Sequence, residues 1–349
     1  MKIPLIPCIL WVAAALVTPL HAESKTYSCK FEQDIPIGVS AWSQSERVRK
    51  GIGKENRFGP YEKGNAAELA NDALLERGGE AQEKSEPRET AFWQAYDEKG
   101  WYLYIESKEP LVKDLLNQLI DSRSQGHKES YELFFAPGLK EVPYYQVYIN
   151  PYRDKATYYD WAMPNPDYRS LKNGARVESL PLETGVGTFV FIPWELLYER
   201  APLDGGEWRF TLIRWMPFSK SGGVTWGGRV HETGQFGIVR FEKPAPAQRE
   251  ALQRRLLQYA WFKFQALSDQ LREFWSDPFI GDPQFYEKSL APEIARLTAA
   301  GEQWAGDPAK LTPGQIKEAM PRLKDWMEFD YKTADLRRDY LRQLRFAGR

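Results

Sequence analysis

Apolar and polar positions alternate over several short stretches in the middle of the chain, the pattern of half-buried β-strands. Trp101, Leu103 and Ile105 share one parity and Tyr102, Tyr104 and Glu106 the other, so period two sends the first set into a core and the second outward. Residues 144–150 repeat the arrangement: Tyr145, Val147 and Ile149 suit a core, and Tyr144, Gln146, Tyr148 and Asn150 lie opposite. Aromatic rings beside amides have the composition of a ligand face, and the two strands are expected to share one polar-aromatic surface. Residues 90–96 and 101–106, joined by Asp97-Glu98-Lys99-Gly100, form a hairpin signal. Further strands are expected at 130–135, 154–161, 175–182 and 189–192, and then at 207–215, 224–226 and 234–241. So many short strands separated by turn residues predict an antiparallel β-sandwich.

Past Lys243-Pro244-Ala245-Pro246 the period lengthens from two to that of a helix. Residues 248–275 carry Leu252, Leu256, Tyr259, Phe262, Leu267, Leu271 and Phe274 as an apolar stripe. More helices are predicted at 287–300, 312–320 and 323–346, with Thr312-Pro313 a cap followed by Pro at the first helical position. They are amphipathic, so each needs a surface to cover, expected within this chain; a protein partner bound through the C-terminal helices is the alternative. Shorter helices are expected at 65–77 and 111–121, the first inside an insertion spanning 51–89. Residues 27–42 are expected to supply an edge strand, because Ile35-Pro36-Ile37 puts a proline in it.

The chain's length of 349 residues and its 42% hydrophobic content allow a large core. Residues 1–22 combine Lys2, an apolar run over 3–17 and a small Ala22; this is the pattern of a secretory signal cleaved before Glu23. An exported chain, periplasmic or secreted, is expected, with no transmembrane segment once the signal is gone. Cys29 would then be the sole cysteine, so the mature fold must hold without an internal disulfide. A net charge of -1 gives no field that would draw in nucleic acid. The arginines at 337, 338, 342, 345 and 349 read as a solvated helix face.

Catalytic patterns are missing from the sequence. His231-Glu232 lacks the second His of HExxH, no GxSxG elbow occurs, and Gly51-Ile52-Gly53-Lys54 lacks the spacing of a phosphate loop. No enzyme is expected. Binding fits the residues better, since aromatic faces stack on the C–H surfaces of sugar rings while amides, carboxylates and guanidinium groups hydrogen-bond hydroxyls.

The succession Ile192-Pro193, a Trp208-x-Phe210 strand running to Arg214, then Trp226 and a terminal Phe236-Gly237 strand resembles the later half of carbohydrate-binding family 9-like domains, a DOMON-type β-sandwich. Ser130-Tyr131-Glu132-Leu133-Phe134-Phe135 resembles their acidic strand, with Glu132 in its middle. The resemblance implies a mainly β protein: a sandwich over 23–243, followed by an α-helical region over 244–349 that the family does not cover. It implies non-catalytic recognition of a carbohydrate. In xylanase-attached members two Trp clamp a terminal sugar; those positions fall here near Gly126-His127 and Val230-His231. The family's acid is kept as Glu132 and its later Asn as Asn150, while Tyr148 stands where a basic residue is usual. The expected site therefore comprises Glu132, Gln146, Asn150 and Arg214 as hydrogen-bonding groups. Tyr144, Tyr148, Trp161 and Trp226 would be its aromatic platform, with His231 at the rim.

For Arg214 the alternative is a strand cap paired with a buried carboxylate such as Glu132; for Trp226 it is packing at the rim. The resemblance also allows a structural calcium, whose oxygen ligands the sequence does not place. Some DOMON-type relatives hold haem through a Met with a His or Lys, and Met216 and His231 are the residues to consider here. The competing function is an envelope scaffold whose sandwich has lost its sugar site and whose helices bind a partner.

Overall fold

The computed structural model describes residues 25–44, 56–58, 89–108, 130–139, 144–150, 155–161, 176–194, 201–215, 223–228, 231–305 and 310–346. The expected helices at 65–77 and 111–121 and the Gly51–Lys54 stretch lie outside them. The described strands are β1 (Thr26–Phe31), β2 (Asn56–Phe58), β3 (Thr90–Tyr96), β4 (Gly100–Lys108), β5 (Ser130–Ala136) and β6 (Tyr144–Asn150). They continue with β7 (Lys155–Trp161), β8 (Arg176–Leu182), β9 (Gly185–Pro193), β10 (Gly206–Trp215), β11 (Gly223–Trp226) and β12 (Gly237–Phe241). Their order is β7-β6-β5-β10-β12-β1-β3-β4-β9-β8, with β11 added to β10 and β2 to β3.

This path folds over into two facing layers, and β1 is the seam between them. Thr26 to Cys29 pair in parallel with Ile238 to Phe241 of β12, while Lys30 and Phe31 pair with Ala95 and Tyr96 of β3. The first layer holds β7, β6, β5, β10, β12 and β11; the second holds β2, β3, β4, β9 and β8. The expected edge strand is thus a central one. Pro36 caused the misreading, but it lies beyond the strand's end, in the connection to the short helix α1 (Val39–Gln44).

Between the layers sits an aromatic core, and the alternation predicted for β4 and β6 holds. Trp101, Leu103, Ile105, Tyr145, Val147 and Ile149 are all buried in one cluster with Trp194, Trp208, Phe210 and Phe241. The Trp101 ring meets Phe135 edge-on at 5.3 Å and Phe241 at 5.6 Å. Buried indole N–H groups need acceptors; Trp101 donates to the Gln94 side chain at 2.9 Å and Trp194 to the Asp97 carbonyl at 2.7 Å. The hairpin turn is fixed by the Asp97 carboxylate, which accepts from the Lys99 and Gly100 amides and the Tyr102 hydroxyl. Cys29 is fully buried in this core, and desolvation pushes its thiol pKa well up, the setting of an inert structural cysteine.

The strands end at Phe241 and α2 (Pro246–Ser276) begins the helical region, which continues with α3 (Ala291–Ala305) and α4 (Pro313–Phe346). The helices cover one another's apolar faces: Trp261 of α2 packs on Trp326 of α4 at 5.6 Å, and Phe264 on Phe329 at 5.8 Å. The first turn of α2 is tied to the loop before β10 by Arg249 and Asp204, 2.8 Å apart. Thr312 and Gln315 form a reciprocal cap at the start of α4.

Two helices were expected where α4 runs unbroken through Pro321. Pro321 is exposed, so the hydrogen bond its ring removes is lost on the solvent side, where water can replace it. Likewise α3 starts later than position 287, because Tyr286–Leu290 form a π-helical turn ahead of it. Among the described residues no helix is long and apolar enough to cross a membrane.

Candidate functional site

Antiparallel pairing decides which side chains meet, because residues directly opposite each other share a face. Glu132 of β5 lies opposite Tyr148 of β6 and Ile213 of β10. Phe134 lies opposite Gln146 and Thr211, and Ser130 opposite Trp215. Tyr144 pairs with Trp161 of β7, and Asn150 with Lys155. The outer face of the first layer therefore carries Glu132, Phe134, Tyr144, Gln146, Tyr148, Ile213 and Trp215. Tyr131, Leu133 and Phe135 turn to the core.

Glu132 is the chemical centre of this face. It is half-buried, and Gln146 Nε2 donates to its Oε2 at 3.1 Å. Burial pushes the carboxyl pKa up to about 7, against the nearby Trp215 indole N–H and the Gln146 hydrogen bond, which favour the charged form. Near neutrality the group is thus divided between an acid that can donate a hydrogen bond and a carboxylate that accepts only. Tyr148 beside it is also half-buried. Next along the face, the Tyr144 hydroxyl and His231 Nδ1 are 3.0 Å apart, and the imidazole meets the Phe134 ring edge-on at 5.0 Å. His231 has a left-handed backbone with φ of 60°, and burial of its ring holds its pKa below the usual histidine range, so it is neutral at pH 7. Asn150 and Trp161 belong to this face by register, though their side chains lie outside the described set.

Glu132, Tyr144, Gln146, Tyr148 and His231 thus come together; Arg214 and Trp226 do not join them. Arg214 lies opposite Tyr131, on the core side of the layer. It is fully buried and donates to Thr90 Oγ1 at 3.3 Å and the Lys108 carbonyl at 2.9 Å. It neither reaches the ligand face nor pairs with Glu132. Trp226 lies opposite Leu212 and is 2% exposed, packed on Phe92 at 5.4 Å and Phe210 at 5.6 Å. Both residues belong to the core by strand parity.

The shared surface expected of β4 and β6 is not formed either, because the two strands are in different layers. Tyr102 and Tyr104 lie on the outer face of the second layer, where Trp42 of α1 sits 5.7 Å from Tyr104. Three residues of the Glu132 face escaped sequence reasoning: Phe134, Ile213 and Trp215. Parity was the available signal, since Trp208, Phe210, Leu212 and Arg214 share the core side of β10, leaving Thr211, Ile213 and Trp215 to face outward.

A cavity of about 220 Å³ occurs elsewhere, on the second layer, lined by Glu89, Glu106, Lys108 and Thr184 among others; Lys108 and Glu89 pair there at 3.5 Å. Among the described residues no group of three or more His, Cys, Asp or Glu is placed to hold a metal ion. Met216 lies outside the described residues, so the pair considered for haem has no described geometry. On the Glu132 face, Phe134, Tyr144, Ile213 and Trp215 are buried in one apolar cluster with Phe236. The partly exposed groups are the Glu132 carboxyl, held by Gln146, and the Tyr148 ring opposite it, a set suited to hydrogen-bonding hydroxyls beside an aromatic surface.

No family model matches the chain, and no curated protein matches it. Among solved structures, the chain is similar to carbohydrate-binding modules of family 9 at low identity. One, from Caldicellulosiruptor kristjanssonii in complex with cellotriose, is 12% identical, spans 64% of this chain and 96% of its own, and gives a TM-score of 0.38. The same organism's module in complex with glucose is 10% identical over 64% of this chain and 98% of its own, also at 0.38. A candidate carbohydrate-binding protein from Bacteroides uniformis ATCC 8492 is 15% identical over 63% of this chain and all of its own, with a TM-score of 0.43.

Proposed function

We propose that this chain is an exported, non-catalytic carbohydrate-binding protein that takes its sugar on the outer face of β5, β6 and β10. The observation that carries this reading is the half-buried Glu132 carboxyl, hydrogen-bonded by Gln146 and flanked by Tyr148 and Trp215 on one sheet face. Planar acid and amide groups satisfy hydroxyls while the rings cover C–H surface. The chain starts at Glu23 after removal of its leader; residues 23–243 form the binding sandwich and 244–349 a helical region that packs on itself.

The test is calorimetric titration of residues 23–349 with a panel of mono- and oligosaccharides, repeated on Glu132→Ala and Trp215→Ala. Saturable heat in the parent, lost in either variant, is expected. Absence of heat with every sugar, from protein shown to be folded, would sink the reading.

A second reading, an envelope scaffold that binds a protein through its helices, draws on one feature. Between α2 and α3 the Asp277 carboxylate fixes a tight loop through the Phe279 and Ile280 amides, yet Phe279 is 93% and Ile280 48% exposed. Under that reading Phe279→Ser abolishes partner capture and leaves any sugar binding intact.

A further inference from the structure

Glu132 is a carboxylate in search of a counter-charge. Taking an anion out of water is costly unless a cation or several donors replace the hydration. The side chains that face it from its own strand are Ser130 and Phe134, from β6 Gln146 and Tyr148, and from β10 Ile213 and Trp215. None of these is cationic. The imidazole on this face, His231, has its pKa lowered by partial desolvation, which disfavours its charged form, and is engaged with Tyr144. The nearest guanidinium by register, Arg209 opposite Ala136, is four residues along the strand, roughly 13 Å. It is occupied with the Leu139 and Gly234 carbonyls at 3.0 and 3.1 Å. Arg214, which could have served, is on the other side of the sheet.

The rest of the patch suits a cation as well. The faces of aromatic rings carry negative potential and attract ammonium groups; Tyr148, directly opposite Glu132 and half-buried, is the ring with surface to offer, Phe134 and Trp215 being buried beside it. A protonated amine at this point would supply the missing positive charge and up to three donors to the carboxylate. A neutral hydroxyl would supply one donor and no charge.

We infer that the Glu132 site selects a sugar bearing a free, protonated amine over the neutral sugar of the same shape. The inference rests on the carbohydrate-binding reading and narrows it to amino sugars. It carries a proton signature. Because Glu132 is partly protonated near neutrality, an ammonium ligand that requires the ionised form releases a proton on binding, so the observed heat depends on the buffer's own ionisation enthalpy.

The experiment is titration calorimetry at pH 6.5 in two buffers of different ionisation enthalpy. Glucosamine, galactosamine and chitosan oligosaccharides would be run against glucose, galactose, N-acetylglucosamine and cello-oligosaccharides. At least one amino sugar is expected to bind about tenfold more tightly than its neutral counterpart, the increment of one charge-assisted contact, with buffer-dependent heat. Glu132→Gln keeps the shape and removes the charge; it is expected to erase that preference, bringing the amino sugar to the affinity of its neutral counterpart in the same variant.

Equal or tighter binding of the neutral sugars overturns the inference and leaves the carbohydrate reading standing. A preference that survives in Glu132→Gln also overturns it, since the amine would then be recognised elsewhere. No binding by any sugar removes both. Carboxyl-carbon NMR gives an independent check: saturating glucosamine, or whichever amino sugar binds, should move the Glu132 titration midpoint down by about one unit or more, and an unmoved midpoint counts against the inference.

Discussion

The two outer faces of the sandwich are alike in aromatic content and in burial, and differ in the polar groups they hold. Over the second layer, Trp93, Tyr102, Tyr104 and Phe189 are covered by α1, whose Val39 and Trp42 join them in one buried cluster. Trp42 lies within 6.3 Å of both Tyr104 and Phe189 and anchors its indole N–H on the Pro36 carbonyl. Gly187 allows that close approach, because a Cβ there would come within 2.8 Å of the Val39 side chain. Over the first layer, the equally aromatic β5, β6 and β10 face holds a carboxyl pushed up to about 7 and an imidazole pushed down. Aromatic richness is common to both faces. Both faces bury their rings, the first in a cluster of Phe134, Tyr144, Ile213, Trp215 and Phe236; what separates them is that the first also holds titratable groups away from their usual ranges, the condition associated with binding sites.

The sharpest way to break this comparison is to unroof the second face. Trp42→Ala should cost about 3–5 kcal/mol of stability, the usual penalty for emptying a large buried aromatic, measured by urea unfolding. Its sugar binding should be unchanged under conditions where the variant is folded; lost binding would mean that the two faces are not independent.

On the other face, Glu132→Gln should stabilise the protein at alkaline pH. The folded carboxyl takes up its proton near 7, above its value of 4.5 in the absence of burial, so between those values the native state holds more protons than the unfolded state. Stability therefore falls as pH rises through that window and levels off above it. Removing the group should flatten the slope and leave the variant about 1–3 kcal/mol more stable at pH 8. Parallel stability curves for parent and variant would show that Glu132 is not desolvated as described.

Smaller effects distinguish the faces further. Tyr144→Phe deletes the hydroxyl partner of His231 and should cost about 1 kcal/mol, with weakened sugar binding in calorimetry. Tyr104→Phe deletes the corresponding hydroxyl on the covered face, which donates to Glu106 at 2.9 Å. It should cost about 0.5 kcal/mol and leave ligand binding untouched; a binding defect there would move the site.

These contrasts also mark where the sequence was legible. Period two sorted β4 and β6 correctly into core and outward residues, because that property lives within one strand. Whether two outward sets share a surface depends on strand order, which is set by pairings between strands distant in sequence such as β4 with β9 and β1 with β12, and so β4 and β6 were wrongly set side by side. Arg214 and Trp226 were misplaced for a different reason. Their chemistry attracted a functional reading, although Arg214 has the parity of Trp208, which lies in the core. Trp215, one position on, was the outward residue. Glu132 was found through its place in a recognisable strand, but its altered acidity could not be, since that depends on desolvation by β6 and β10. In the helical region the stripe of α2 was legible; the passage of α4 through Pro321 was not, because a proline's effect depends on which side of the helix faces water.

The seam formed by β1 sets a schedule for the molecule. The first described strand of the chain is locked only when β12 lies beside it, and Thr26 and Ile238 are partners separated by more than two hundred residues. A ribosome therefore has to release almost the whole β region before the two layers can be joined, and loop closure over such distances is slow. Until then β3 and β12 each present an unpaired edge. A nascent chain of this design stays open for a long interval, and then closes late by drawing its own beginning into the middle.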